Sequence, residues 1–423
     1  MSRFRLALAV VDYFPFGGMQ RTFFRVAQEA ARRGHDVRLF AATWSGEKPE
    51  GAQIELLPVE AGTNHGRNEE FGRRVHARLH DLEEHGVWPY DCIVAFQKIG
   101  ECDVYYAGDP CYAARSNDGP TGFLRRLTPR YWTYRALEAA VFDADSDTEI
   151  LLISPSEEAR FRSIYGTPSA RFHHLPPGID RERLRADGEP LLSRRELRAR
   201  HGIAADAFLL LNIGAQFRTK GVDRILEAAA WLSPAAKERL QILIVGGDDS
   251  APYEALARAR GLADRVHFAG AQQDVGSYLR AADLLVHPAR LENTGTTLLE
   301  ALVLGCPVLA AGLCGYAFHI EAAAAGLVLA EPHDRAAWTA AIERAMTTDE
   351  PEKWSEYGRR YGRNIDLYGL VPRAVDVIEK RAAANRDELK RDADLFLKAS
   401  GSADPVEEIS EADTGKIRRA LDA

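Results

Sequence analysis

The stretch Phe208-Leu-Leu-Leu-Asn-Ile213-Gly214-Ala-Gln-Phe-Arg218-Thr-Lys220-Gly221-Val-Asp223 is a short apolar run that ends at a glycine and passes into a helical pattern over Asp223–Leu232. A run broken only by Asn212 suits a strand buried on both faces, the signature of a parallel sheet covered by helices. Moving outward, Ile242–Val245, Val266–Phe268, Leu284–His287 and Val308–Ala310 repeat the strand pattern, and Tyr253–Arg260, Thr296–Leu304 and Ala336–Met346 the helical one. That alternation predicts a doubly wound α/β domain. Nearer the N-terminus a second alternation begins, with strands at Leu6–Val11, Val37–Ala42, Cys92–Phe96 and Ile150–Ile153 and a helix over Met19–Arg33. Leu175-Pro-Pro-Gly-Ile179, followed by a charged stretch to Arg200, marks the boundary. The expected domains are therefore 1–178 and 179–380, with 381–423 as a charged tail.

The 423 residues are 46% hydrophobic and 27% charged, ordinary for a globular chain and unlike a disordered or collagenous one. A membrane span needs about 20 predominantly apolar residues. The most apolar region, 306–330, is interrupted by Pro307, His319 and Glu321. Leu6–Val11 ends at Asp12, short of a signal-peptide core, so export is not expected. A net charge of −8 repels a polyanion, which argues against nucleic acid as partner. The five cysteines contain no CxxC pair and match neither a zinc module nor a disulfide framework.

Three features carry candidate chemistry. Gly17 and Gly18 follow the first strand, where a glycine pair permits close backbone approach and a helix N-terminus offers N–H groups to a diphosphate. The spacing is neither GxGxxG nor a Walker A loop, which disfavours a dehydrogenase and a P-loop NTPase. Arg218 and Lys220 place cations in the loop at the carboxyl end of the strand Phe208–Ile213, where ligands of doubly wound sheets bind. In Pro288-Ala-Arg-Leu-Glu292-Asn-Thr-Gly295-Thr-Thr-Leu-Leu-Glu300, Glu292 falls in a loop and Glu300 about one turn into the helix beginning near Thr296. The amides of Asn293, Thr294, Gly295 and Thr296 then face an anion. Leu298, Leu299, Ala301 and Leu302 make that helix apolar nearly all round, so Glu300 needs a polar partner such as ribose hydroxyls. Asp143-Ala-Asp145 and Asp392-Ala-Asp394 match an Asp-x-Asp string but fall in helical or tail contexts, and no metal site is expected.

The Glu292–Glu300 spacing resembles the Glu-x7-Glu motif of retaining GT-B glycosyltransferases of family 4. Tyr13-Phe-Pro-Phe-Gly-Gly-Met-Gln-Arg21, Thr63-Asn-His-Gly-Arg-Asn68, Asp103-Val-Tyr-Tyr-Ala-Gly-Asp109, Lys220-Gly-Val-Asp-Arg224 and Cys314-Gly-Tyr-Ala317 resemble the lipopolysaccharide-core glucosyltransferases of that family. The resemblance implies a GT-B fold, α/β, with two doubly wound Rossmann-like domains facing a cleft. It also implies transfer of a hexose, glucose, from a UDP-sugar to a heptose of the lipopolysaccharide inner core, without metal or other cofactor. An N-acetylhexosamine donor or a GT-B epimerase are the alternatives. By resemblance, Gly17 and Gly18 approach the diphosphate, and Lys220 neutralises it with Arg218 as second cation. Glu292 with residues 293–296 holds the hexose and phosphate, Glu300 binds the ribose, and Asp109 lies near the acceptor with His65 and Arg67 beside it, where either Asp109 or, in a front-face mechanism, the leaving phosphate serves as base. Many family members carry an arginine after the glycine at 214, whereas this chain has Ala215.

Between Cys111 and Ala140 five arginines face two acidic residues, interleaved with Phe123, Leu124, Leu127, Tyr131, Trp132 and Tyr134. That mixture suits an interfacial element drawn to anionic lipid. The alternative is a helix that packs its aromatics into the N-terminal core and pairs its arginines with acidic residues. The resemblance favours the first reading: it implies that Arg125, Arg126, Arg130, Tyr131 and Trp132 contact an anionic inner membrane, with the protein in the cytoplasm, peripheral on that membrane's inner face, and a lipid-anchored heptosylated acceptor.

Overall fold

The computed structural model describes residues 3–15, 17–85, 87, 90–117, 122–180, 184 and 192–399. All six residues of Phe208–Ile213 are buried, as their continuous apolar character requires. They form one strand of the second of two wholly parallel sheets. In chain order the first sheet contains β1 (Arg5–Tyr13), β2 (Asp36–Trp44), β3 (Ala52–Leu56), β4 (Cys92–Ala95), β5 (Val104–Ala107), β6 (Glu149–Leu152) and β7 (Phe172–His174), laid out as β3-β2-β1-β4-β5-β6-β7. The second contains β8 (Phe208–Ile213), β9 (Leu240–Val245), β10 (Val266–Phe268), β11 (Leu284–His287), β12 (Val308–Ala311) and β13 (Gly326–Leu329), laid out as β10-β9-β8-β11-β12-β13. Strand order reverses between β1 and β4 in one and between β8 and β11 in the other. Each reversal places a crevice at the carboxyl ends of its own pair of strands, within its own unit.

Helices cover both sheets by the expected periodicity. In the helix Gly18–Arg32, Phe23, Val26, Ala27 and Ala30 recur at i, i+3, i+4 and i+7 and are buried against the first sheet. The five cysteines are all buried and unpaired. Among the described residues no helix is long and apolar enough to cross a membrane, and no three His, Cys, Asp or Glu side chains assemble into a metal ligand set. Asp143 and Asp145 are exposed.

The domain limits differ from the expected ones. The two compact units divide at Pro176/Pro177, and the chain from Gly369 onward belongs to the first unit. The reason is the 30-residue helix Leu370–Ala399. Its stripe of Leu370, Val371, Ala374, Val375, Ile378 and Ala382 is buried in the first unit's core. Beyond Arg381, where a tail was expected, Asn385 donates to the Asp103 carboxylate at 2.9 Å, and Arg386 forms an ion pair with Asp91. The charges that resemble a solvated tail are thus partly committed to the N-terminal sheet. Residues 400–423 lie outside the described residues.

Candidate functional site

In the second unit the carboxyl ends of β8 and β11 bring together side chains far apart in sequence. Lys220 ends the short helix Phe217–Lys220 and forms an ion pair with Glu292, in the loop after β11. His287, the last residue of β11 and only 1% exposed, places Nε2 3.1 Å from the same carboxylate. An ionised carboxylate only accepts, so Nε2 carries the proton and donates it. Burial pushes the Glu292 carboxyl up, but the His287 hydrogen bond and the Lys220 charge outweigh it and bring its pKa down to about 2. Glu292 is therefore a fixed anion throughout the working range.

Two glycines make this geometry possible. Gly214 has φ +150°, and a Cβ there would come within 2.9 Å of Lys220 Cε, so the lysine stem lies across bare backbone. Gly295, at φ +86°, caps the helix Thr296–Leu304, and a Cβ there would meet Glu292 Cγ at 3.3 Å. The two loops are tied together by Arg290, whose amide donates to the Thr219 carbonyl at 2.7 Å and whose guanidinium grips Asp223 in a fork at 2.7 and 2.6 Å. Arg290 also donates to the Arg218 carbonyl at 2.9 Å, while the Arg218 side chain is exposed. Glu300 is 1% exposed within its helix, and the Tyr316 amide donates to the Thr294 carbonyl at 2.8 Å, docking Cys314-Gly-Tyr-Ala317 onto the glutamate loop. His287 is the partner that sequence reasoning missed. Its position at a strand's carboxyl end, five residues before Glu292, was the available signal.

The low Glu292 pKa yields a pH prediction. A carboxyl whose folded value lies below its ordinary 4.5 stabilises the fold above that ordinary value and loses the contribution as pH falls toward 2. The shift corresponds to about 3 kcal/mol. Urea unfolding should show Glu292→Gln less stable than the parent at neutral pH, with the gap closing toward pH 2.5. A gap independent of pH would refute the assignment.

In the first unit Gly17 precedes the helix Gly18–Arg32, whose first turn carries no acidic residue. A Cβ on Gly17 would strike Gln20 and Phe14, which gives that glycine a packing reason of its own, whereas one on Gly18 would meet nothing within 4 Å. Asp12, at the end of β1, accepts from Arg67 at 2.7 Å and from Thr43 Oγ1 at 2.6 Å. Arg67 and Asp109 line one cavity of about 300 Å³, together with Asp12, Lys98, Arg115 and Arg130. His65 lies beside it, its ring centroid 6.4 Å from that of Tyr134.

Beneath this cavity is a buried charge network absent from the sequence expectations. Glu138, fully buried in the helix Pro129–Phe142, accepts from the Tyr112 amide at 2.6 Å, the Ala113 amide at 3.0 Å and the Tyr165 hydroxyl at 2.8 Å. It also faces Lys98 Nζ at 3.4 Å. Glu157 accepts from the Cys111 amide at 2.8 Å. Two carboxylates thus hold the backbone that follows Asp109. Burial acts against the Lys98 charge, but Tyr105, Glu138 and Asp109 outweigh it and keep the lysine above its usual range.

The basic and aromatic segment divides between two environments. Tyr131 is 3% exposed, which corrects its expected place at a membrane: its ring packs inward, 6.4 Å from Tyr112. Arg130 lines the cavity, its guanidinium 5.6 Å from the Tyr134 ring centroid. Arg125 and Arg126 are exposed, as are Leu124, Leu127 and Trp132, the last at 57%.

Residues 16–183 match the family described as Glycosyltransferase Family 4, and residues 193–361 that described as Glycosyl transferases group 1. The chain belongs to the glycosyltransferases, and its two doubly wound units are those of the GT-B fold. It is 40% identical over 374 residues to the lipopolysaccharide glucosyltransferase WaaG of Escherichia coli (strain K12), spanning 88% of this chain and 98% of that protein. The crystal structure of WaaG matches with a TM-score of 0.81 at 39% identity, covering 88% of this chain and 99% of that one. HepE of Anabaena in complex with UDP-glucose matches with a TM-score of 0.68 at 16% identity over 90% of this chain and all of that one, and so shares the fold.

Proposed function

We propose that the enzyme transfers glucose, with retention, from UDP-glucose to a heptose of the lipopolysaccharide inner core. The observation that carries this is the Lys220–Glu292–His287 cluster at the switch point of the second sheet. It is supported by the 40% identity to a lipopolysaccharide glucosyltransferase. As the bond from sugar C1 to the diphosphate oxygen breaks, negative charge grows on the leaving group. The Lys220 ammonium, ion-paired with Glu292, is the group assigned to offset that charge, by electrostatics and without metal. Glu292, anionic at any working pH, accepts from hexose hydroxyls, and the amides of 293–296 face the phosphate. In the first unit Asp109 and Arg67 receive the acceptor, and Asp109 accepts the proton of the attacking hydroxyl. Incubating the purified protein with UDP-glucose or UDP-N-acetylglucosamine and a heptose-terminated core, followed by mass spectrometry and anomeric NMR, tests the reading. Transfer of N-acetylglucosamine in preference, or no transfer, would overturn it.

Glu300 is assigned to the ribose hydroxyls. Glu300→Ala should weaken UDP binding tenfold to a hundredfold by calorimetry, since a hydrogen bond to a charged group contributes about 1.5–3 kcal/mol. Unchanged UDP affinity would remove the assignment.

Peripheral attachment to the cytoplasmic face of the inner membrane is assigned to Leu124, Leu127 and Trp132 with Arg125 and Arg126, which are exposed together in one segment. Each arginine near an anionic bilayer contributes about 1 kcal/mol, attenuated by salt. Arg125→Ser with Arg126→Ser should therefore reduce sedimentation with phosphatidylglycerol vesicles by about thirtyfold. Trp132→Ser should weaken it further at an unchanged melting temperature. A large fall in melting temperature with undiminished vesicle binding would show that the indole is structural.

A further inference from the structure

The cavity of the first unit has a charge balance that a neutral sugar does not require. Four cations line it, Arg67, Lys98, Arg115 and Arg130, against two carboxylates, Asp12 and Asp109. Arg67 is committed to Asp12 at 2.7 Å. Lys98, 4% exposed, has Glu138 at 3.4 Å, but that carboxylate already accepts from two backbone amides and a tyrosine hydroxyl. Among the described residues neither Arg115 nor Arg130 has a carboxylate within ion-pair distance. The cavity therefore holds surplus positive charge in a protein of net charge −8. A buried ammonium with two uncommitted guanidinium groups above it favours an oxyanion, since guanidinium binds phosphate and carboxylate through paired N–H groups. Tyr112 and Tyr134, with ring centroids 4.8 Å apart, add aromatic surface of the kind that packs against a sugar face.

We infer that this cavity recognises an oxyanion carried by the acceptor oligosaccharide, a phosphate on the heptose or a carboxylate on a neighbouring sugar, through Arg115 and Arg130 together with Lys98. The proposal rests on the transfer reaction above and deepens it. Asp109, on the same wall, takes the hydroxyl proton, while the arginines hold the anionic substituent and set which hydroxyl faces the donor. Arg130 thus serves the cavity rather than the lipid.

The test measures transfer of glucose from UDP-glucose to native heptosylated core, to core freed of phosphate with hydrogen fluoride, and to carboxyl-reduced core. Arg115→Gln and Arg130→Gln should each raise the acceptor KM tenfold to a hundredfold, with donor KM and melting temperature unchanged. Arg115→Lys, which keeps the charge, should recover part of the loss. On whichever treated core has lost the recognised group, parent and variants should converge, which separates phosphate from carboxylate as the source. Unchanged acceptor KM in both variants, or equal use of all three cores by the parent, overturns the proposal. If the parent transfers to no core, the functional reading has failed, and the subsite is decided by inorganic phosphate and acetate added to the parent during NMR of the arginine Nε–H groups. Shifts at Arg115 and Arg130 that vanish in the variants support it, and none at millimolar anion overturns it.

Discussion

Lys220→Ala is expected to lower turnover by about a hundredfold to a thousandfold, with a much smaller change in the KM for UDP-glucose. The ammonium acts on charge that exists only as the donor bond breaks, and removing one such preorganised group costs about 2.7–4 kcal/mol of barrier. A second consequence follows from the ion pair. Glu292 keeps its charge in a largely buried position partly because Lys220 faces it, so the alanine variant also raises the Glu292 pKa toward its ordinary value. Stopped-flow and steady-state kinetics on the variant, with and without EDTA, separate these effects. A variant with parental turnover, or a parent whose activity is abolished by EDTA and restored by Mg²⁺ or Mn²⁺, would refute electrostatic stabilisation by Lys220.

Glu138→Ala should destabilise the first unit by about 3–5 kcal/mol, because it leaves the Lys98 ammonium uncompensated and two amides and a hydroxyl unsatisfied. Urea unfolding measures the loss. The double variant Glu138→Leu with Lys98→Met should recover much of it, since exchanging a buried ion pair for apolar groups of similar volume is often neutral. A single-variant loss below about 1 kcal/mol would show the network to be incidental. Because Glu138 and Glu157 fix the backbone of 111–113 just beyond Asp109, the single variant should also raise the acceptor KM.

Strands were legible in this sequence where burial on both faces makes them continuously apolar. Phe208–Ile213 and Leu284–His287 were read to the residue. Val104–Ala107 was not recognised: its Tyr105 and Tyr106 are buried, but a Val-Tyr-Tyr-Ala run of four residues carries no period. The helix Leu370–Ala399 was half visible. Its apolar stripe weakens after Ala382, and charges beyond that point resemble a solvated tail until the acidic strand ends they meet are known. Glu292 and Lys220, which the structure brings together, were legible from motif spacing, whereas His287 looked like the end of a strand.

Local patterns by themselves determined that two doubly wound α/β units lie in this chain, with cations and glutamates at the strand ends of the second, because period and turn chemistry are properties of neighbouring residues. Only the tertiary structure decided which of those charges meet. The pairing of Lys220 with Glu292 spans 72 residues, Asn385 with Asp103 spans 282, and Glu138 reaches back to the amides of 112 and 113. Such partners are chosen by strand order and by the cost of leaving a buried charge uncompensated, and neither is written in the spacing of adjacent residues. The same holds for the basic segment at 111–140. Folding brings Arg115 and Arg130, from two different helices, to one cavity, and within the helix Pro129–Phe142 it turns Tyr131 inward and leaves Trp132 outside, because a helix distributes consecutive side chains around its axis.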